Sequence, residues 1–326
     1  MPAIAREPRV DRVLRLNFQG DWGQANFHRI CSWLTQEVID RSGKGTKIAI
    51  WNGCGGADAA LAVGRREVDL AISTPARFAS MAIAGVGPFA QRAVPELRAI
   101  ATLPQRDRLV MAVDERFGVE SFEQLRVRKP ALRIAASVDD GVNNIGFATQ
   151  RMMEASGVSR EEVLSWGGSY WEAERPEVCL GEATAGRVDA VIQEAIMTPW
   201  WQELMRTRKM RLLPFEPDAF AQVKKAYGWE PAAIPAGYFP GLTQSVAALD
   251  FSDFIILVHA SMPEEVAHLL TWCLCETRHV LEAQYRHIPA ERSPITFPLE
   301  PSSMAKTSVP LHPGARRYYK DAGIQV

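Results

Sequence analysis

Long apolar runs are missing from this sequence. No stretch approaches the roughly 18 apolar residues that a membrane-crossing helix needs. The longest apolar helix in prospect, Pro263 to Tyr285, holds Glu264, Glu265, His268, Glu276 and Arg278. That predicts a core helix and no direct membrane insertion. An excess of either charge is missing too: Lys and Arg number 37, Asp and Glu 38, for a net charge of −1. No basic excess argues for nucleic acid, and no basic stripe argues for a membrane surface, so no nucleic-acid partner is expected. Cysteine is scarce, at five residues, an odd count without disulfide spacing. Cys273 and Cys275 stand two apart on a helix, point to different faces and make a poor metal pair. His268 and His279 lie about three helical turns apart and cannot share a metal. Phosphate-loop and dinucleotide motifs are absent as well. The expectation is therefore no metal and no cofactor. The N-terminus, Met1-Pro-Ala-Ile-Ala-Arg-Glu-Pro, has no apolar signal region and no cleavage site. A cytoplasmic location is expected on that ground, and free cysteines fit it. The alternative is the periplasm, for a chain truncated at its N-terminus.

What is present is an internal echo. Val63-Gly-Arg-Arg-Glu-Val-Asp-Leu-Ala-Ile-Ser-Thr-Pro75 and Ala185-Gly-Arg-Val-Asp-Ala-Val-Ile-Gln-Glu-Ala-Ile-Met-Thr-Pro199 follow one plan. Each ends a helix at glycine, passes a basic residue and Val-Asp, and runs through an apolar strand to a polar pair. A proline then opens the next segment. A chain of 326 residues is long enough for two lobes, and two such units predict two α/β lobes with strand ends aimed at one cleft.

The periodicity predicts strands at 12–18, 47–51, 69–72, 97–103 and 108–113, with helices at 27–41 and 58–63 between the first three. That βαβαβ order makes a parallel sheet covered by helices. Further strands are expected at 132–136, 188–192, 211–215 and 253–259. Ala232 to Ser245, rich in Pro and Gly, reads as a loop. Ser121 with Gln124, and Ser159 with Glu162, match capping boxes, and Ser261 reads as the cap of the long C-terminal helix. Lobe I is expected at 1–113 and 250–326, lobe II at 114–249. The strands near 108–113 and 253–259 serve as connectors.

Ligands of open α/β sheets bind at the carboxyl ends of strands, where helix N-termini offer unpaired amides. Five loops qualify. The first supplies Trp22, Gln24 and Asn26. The second supplies Cys54, Gly55 and Gly56, whose glycines let backbone amides approach a carboxylate. The third supplies Ser73 and Thr74 as hydroxyl donors and Arg77 as a clamp for a carboxylate. The fourth supplies Asp139, Asp140, Asn143 and Asn144, of which Asp139 or Asp140 is expected to cap the following helix. The fifth supplies Gln193, Glu194 and Trp200. Acidic residues in these loops suit an ammonium group, and the tryptophans suit a ring or cation. Cys54, in a glycine loop before a helix, is the candidate nucleophile of an enzymatic alternative, with His28 as its base.

Three segments carry a family resemblance: Arg211-Leu-Leu-Pro-Phe-Glu-Pro217, Ile234-Pro-Ala-Gly-Tyr-Phe-Pro-Gly241 and Leu311-His-Pro-Gly-Ala-Arg-Arg-Tyr-Tyr-Lys320. Together they resemble the TAXI family of TRAP-transporter solute-binding proteins, over roughly Leu14 to Gly323. The resemblance implies a periplasmic-binding-protein type II fold, two α/β lobes joined by two crossing strands. It implies a small carboxylate-bearing solute (an amino acid or organic acid, aromatic ones included) in the cleft. It implies TRAP membrane subunits as partners, and a binding protein, not an enzyme. The alternative is a decarboxylase- or desulfinase-like enzyme on the same scaffold. The chain departs from the family in two loops: Gly20 to Asn26 lacks the usual density of Gly, Ser and Thr, and Asp139 to Asn144 lacks small hydroxyl residues.

Overall fold

A computed structural model describes residues 7–21 and 26–326. The chain forms two compact units. One runs up to Arg106 and resumes at Ser252; the other is Asp107–Phe251. Strands β1 (Arg15–Gln19), β2 (Lys47–Trp51), β3 (Leu70–Ser73) and β4 (Leu97–Leu103) precede the first crossing. Strands β5 (Arg108–Asp114), β6 (Arg133–Ser137), β7 (Ser169–Ala173), β8 (Ala190–Glu194), β9 (Met210–Leu213), β10 (Pro231–Ile234) and β11 (Val246–Asp250) follow. Strand β12 (Phe254–His259) comes after the return.

The first unit has one five-stranded sheet, in the order β2-β1-β3-β12-β4. β1 pairs parallel with β2 and β3, whereas β12 runs antiparallel to β3 and β4. The helix Asn26–Asp40 lays Phe27, Ile30, Cys31, Trp33, Leu34 and Val38 inward, a stripe at helical spacing. The C-terminal apolar stretch is two helices, Glu264–Glu276 and Arg278–Ala283. Thr277 separates them, its hydroxyl donating to the Cys273 carbonyl at 2.8 Å. Ser261 does not cap this stretch: it bonds the His259 ring, and Pro263 holds the cap position. Among the described residues no helix is long and apolar enough to cross a membrane.

The second sheet runs β10-β11-β5-β8-β6-β7, with β9 also on β5. β6 is parallel to β7 and β8; β5 is antiparallel to β8, β9 and β11. So β7-β6-β8-β5 repeats the arrangement β2-β1-β3-β12: three parallel strands, then one reversed. Two expectations change here. Residues 108–113 lie at the centre of the second sheet instead of leaving the first, because β8, β9 and β11 all bond to them. The stretch 232–245 is not all loop. β10 pairs antiparallel with β11 and tolerates Pro231 because an edge strand has one unpaired side. Of the two capping boxes, Ser159 and Glu162 close theirs reciprocally. Ser121 accepts from the Gln124 amide, but the Gln124 side chain turns to Glu120 N.

The echo has a structural meaning. The Asp69 carboxylate accepts the backbone N–H of Asn17 at 2.7 Å, and the Asp69 amide donates to the Asn17 carbonyl at 2.8 Å. The Asp189 carboxylate accepts Arg133 N at 2.9 Å, and the Asp189 amide donates to Arg133 O at 2.8 Å. In each unit this aspartate locks the third parallel strand onto the first.

Candidate functional site

In the first unit the strand-end loops are held together by carboxylates. Asp21 follows β1 and is buried; its oxygens accept the Phe27 and His28 amides at 2.8 and 3.4 Å, capping the helix Asn26–Asp40. Burial raises its pKa, against the lowering effect of those amides and of His28. Asp58, in the first turn of the helix Ala57–Gly64, gathers four donors. Oδ2 accepts Cys54 N at 2.8 Å and Gln19 Nε2 at 2.7 Å; Oδ1 accepts Gly56 N and Cys54 Sγ, both at 2.9 Å. Two of the amides expected to face a ligand carboxylate thus bind a carboxylate of the chain itself. A Cβ at Gly53 would sit 2.1 Å from Gln19 Nε2 and 2.7 Å from Asp58 Oδ2, so a larger residue there would displace the Gln19–Asp58 bond.

Ser73 and Thr74 end β3 as expected, but their protons are spent inside. Ser73 Oγ donates to Gly56 O at 2.9 Å and Thr74 Oγ1 to Asp253 O at 3.2 Å. Arg77 is half-buried in the turn that follows. Asn26 is bound on both sides of its amide, by the Tyr285 hydroxyl and to the Pro294 carbonyl at 3.2 Å. Trp22 and Gln24 lie outside the described residues. Cys54 and His28 are engaged by different carboxylates: the thiol donates to Asp58, and His28 Nδ1 is 3.7 Å from Asp21 Oδ1. A thiol bonded to a carboxylate lacks the cationic setting that makes a nucleophilic thiolate.

In the second unit the helix Asn144–Ala155 is capped by Asn143, not by Asp139 or Asp140. Asn143 Oδ1 accepts Ile145 N and Gly146 N at 3.0 and 3.2 Å. Asp140 instead accepts Val142 N and Asn143 N, shaping the loop one step earlier. The true cap is Asn143, the residue at the boundary itself. A Cβ at Gly146 would come 1.9 Å from the Val138 carbonyl, so glycine alone lets the helix start dock there. Asp139 and Asp140 are exposed and Asn144 is buried. Burial raises the Asp139 pKa, and the Arg151 charge opposes it.

Gln193 and Glu194 were expected just past a strand; β8 runs through both, and both are buried. Gln193 Nε2 donates to Ser137 Oγ at 2.8 Å. The Glu194 carboxyl bonds that of Asp107, so it does not stand open to a ligand ammonium. Burial raises the Glu194 pKa well above the carboxylate range, and the Asp107 charge adds to the shift. Trp200 is exposed on the helix Thr198–Thr207, while Trp201 is buried, donates to Glu194 O at 2.8 Å and stacks on Phe239. Asp58, Asp107, Gln19 and Ser137 were not singled out from the sequence. Asp58 had a visible signal, an acid in the first turn after a glycine pair; Asp107 had none beyond its polar turn. Among the described residues no group of three or more His, Cys, Asp or Glu is placed to hold a metal ion. A surface depression of about 320 Å³ lined by Glu276, His279, Glu282 and Glu300 contains none of the expected site residues.

The sequence model of the NMT1-like family matches residues 30–323. No curated protein matches the chain by sequence. Among solved structures, the chain is similar to MatC (Rpa3494) from Rhodopseudomonas palustris with bound malate. Identity is 13%, TM-score 0.52, covering 96% of this chain and 97% of that one. It is also similar to XAC2383 from Xanthomonas citri bound to ATP, at 11% identity and TM-score 0.52, covering 95% and 98%. The fold is the two-lobe periplasmic-binding-protein architecture. The cytoplasmic location read from the N-terminus is corrected: it conflicts with the NMT1-like family match and with the periplasmic-binding-protein fold.

Proposed function

The chain belongs to the NMT1-like family, and from that premise we propose that it is a periplasmic solute-binding protein of a transport system. Its ligand is a small carboxylate-bearing solute, an amino acid or organic acid. Its type is that of the TAXI proteins, with TRAP membrane subunits as partners, on the strength of the segments 211–217, 234–241 and 311–320. The observation that carries the reading is the duplicated β2-β1-β3-β12 and β7-β6-β8-β5 arrangement, with a polar loop after each parallel strand except β8, which Ala195-Ile196-Met197 follows. Each unit offers the same set of strand ends to a ligand, as open α/β sheets do. The solute contacts are assigned to Arg77 and Gly55 in one unit and to Asp139, Asn144 and Trp200 in the other. Arg77 takes the carboxylate and Asp139 an ammonium where the solute has one.

Thermal melting of the dialysed protein against amino acids and organic acids tests this. A true ligand at about 100 times its Kd stabilises the folded chain by about 2.7 kcal/mol, and it is recovered unchanged. Absence of any shift across both classes sinks the reading. Turnover of a stabilising compound, lost in Cys54→Ser, would replace it by the enzymatic one.

A further inference from the structure

Glu194 ends β8 and Asp107 immediately precedes β5; they are 7% and 0% exposed. Asp107 stands where the chain enters the second unit, and its carbonyl accepts the amide of Phe251, the last residue before the chain leaves. Its Oδ1 accepts two backbone amides, Arg108 N at 2.6 Å and Ile196 N at 3.0 Å. Ile196 belongs to the segment 195–197 between β8 and the helix Thr198–Thr207. The same segment is tied by Ala195 N to Arg108 O at 2.7 Å. The charged groups facing the pair are few. On β5, the Arg108 guanidinium reaches Asp250 of β11 at 3.4 Å and bonds the Asp107 carbonyl. From the helix Pro176–Thr184, the charge of Glu177 acts on Glu194.

We propose that Asp107 and Glu194 form a pH-sensitive latch: a proton shared between their carboxyls holds the segment 195–197 on the start of β5, and its loss releases that segment. Two carboxyls hydrogen-bond each other only if one carries a proton, since carboxylates are acceptors alone. Without it, two buried like charges face each other, which a low-dielectric interior does not tolerate. Relief comes when the carboxylates part, and Ile196 is the neighbouring bond that must go with Asp107. Burial pushes Asp107 up to about 7, against the pull of its amides, Glu194 and Arg108, and carries Glu194 higher still. The two titrate as one coupled unit.

The sign follows from proton counting. Unfolded carboxyls lose their protons near pH ~4, whereas the folded pair keeps them to about neutrality. Across that window the folded chain binds more protons than the unfolded one, so stability contributed by the pair falls as pH rises. One such proton changes the folding equilibrium about tenfold per pH unit. The inference concerns the free chain and stands or falls apart from the solute reading.

The test is denaturant unfolding of wild type and Glu194→Gln from mildly acid to alkaline pH. The difference between the two profiles is expected to slope by at least about tenfold per pH unit below neutrality, with wild type losing relative to the variant. Protection of the Ile196 amide from hydrogen exchange is expected to drop in wild type at alkaline pH and to persist in the variant. Parallel profiles overturn the proposal. Should the variant fail to fold, the infrared spectrum of wild type decides. A protonated-carboxyl C=O stretch is expected at neutral pH and lost in alkali; its absence at neutral pH overturns the latch.

Discussion

The two copies of the helix–Gly–basic–Val–Asp–strand unit agree at their beginning and part company at their end. Asp69 and Asp189 do one job, receiving the amide of the neighbouring first strand. Ser73-Thr74 and Gln193-Glu194, at the same place in the plan, do different jobs. The first pair ties loop carbonyls within its unit. The second carries a buried amide on Ser137 and a buried acid on Asp107. Letters shared by the copies mark where the sheet is assembled. Letters that differ mark where each unit has taken up its own chemistry.

The largest effect expected from breaking this comparison is at the shared aspartates. Asp189 is buried and holds, besides the Arg133 amide, the guanidinium groups of Arg133 and Arg116. Asp189→Ala strands a backbone N–H and removes charge-assisted bonds, a loss of about 3 kcal/mol. Asp69 is half-buried and serves one amide outside its own strand, so Asp69→Ala costs about 1 kcal/mol. Denaturant unfolding of the two variants measures the gap, and equal losses would mean that the arginine bonds of Asp189 add nothing to the amide bond both aspartates make. pH sharpens it. Burial raises the Asp189 pKa, but the hydrogen bonds and charge of Arg133, with Arg116, outweigh it and the net is lowered. Its stabilisation is therefore present above the unfolded value near pH ~3.9 and lost as pH falls through the folded one. The difference between wild type and Asp189→Ala should shrink in acid. The Asp107–Glu194 pair behaves in the opposite sense, losing stability as pH rises from the unfolded carboxyl range towards neutrality.

How much of this could be read from residues alone follows the same division. The strand-and-helix order, the two-unit plan and most strand positions came from local periodicity, which a sheet covered by helices obeys closely. The end of β8 did not. A strand was expected to stop before Gln193 because polar residues leave a core, but here each polar group meets a buried partner and the strand continues. Asp107 was legible only as part of a turn, since its partners come from β8 and the following segment, far along the chain. The cap was expected at Asp139 or Asp140 instead of Asn143 because both residue types cap well, and only backbone geometry separates them. The glycine loop looked free to hold a ligand. That it is braced by Asp58 depends on the fold of one carboxylate back over four donors.

A smaller contrast is expected at the ends of β3 and β8. Gln193 is fully buried, so Gln193→Ala leaves a cavity and an unpaired Ser137 hydroxyl, at about 2 kcal/mol. Ser73→Ala removes one bond and little volume, at about 1 kcal/mol. Thermal melting ranks them; a reversed order would mean that Ser73 holds the glycine loop more firmly than one bond allows.

The smallest effect on stability is expected at the exposed tryptophans, and there the comparison bears on function. Trp51 ends β2 with 55% of its surface exposed, and Trp200 has 41% exposed. Trp51 is already used, its Nε1 donating to Asn17 Oδ1 at 3.0 Å. Replacing either by Ala should cost no more than about 1 kcal/mol, since little apolar area leaves the core. Solute affinity should separate them. On the proposed assignment Trp200 stacks on the solute, and losing an aromatic contact worth about 1 kcal/mol weakens binding several-fold. Trp51→Ala should bind as wild type does. Calorimetric titration of both variants with whichever acid stabilises the wild type decides it. An equal loss at both positions would remove Trp200 from the binding surface and leave its exposure as ordinary helix-surface apolar area.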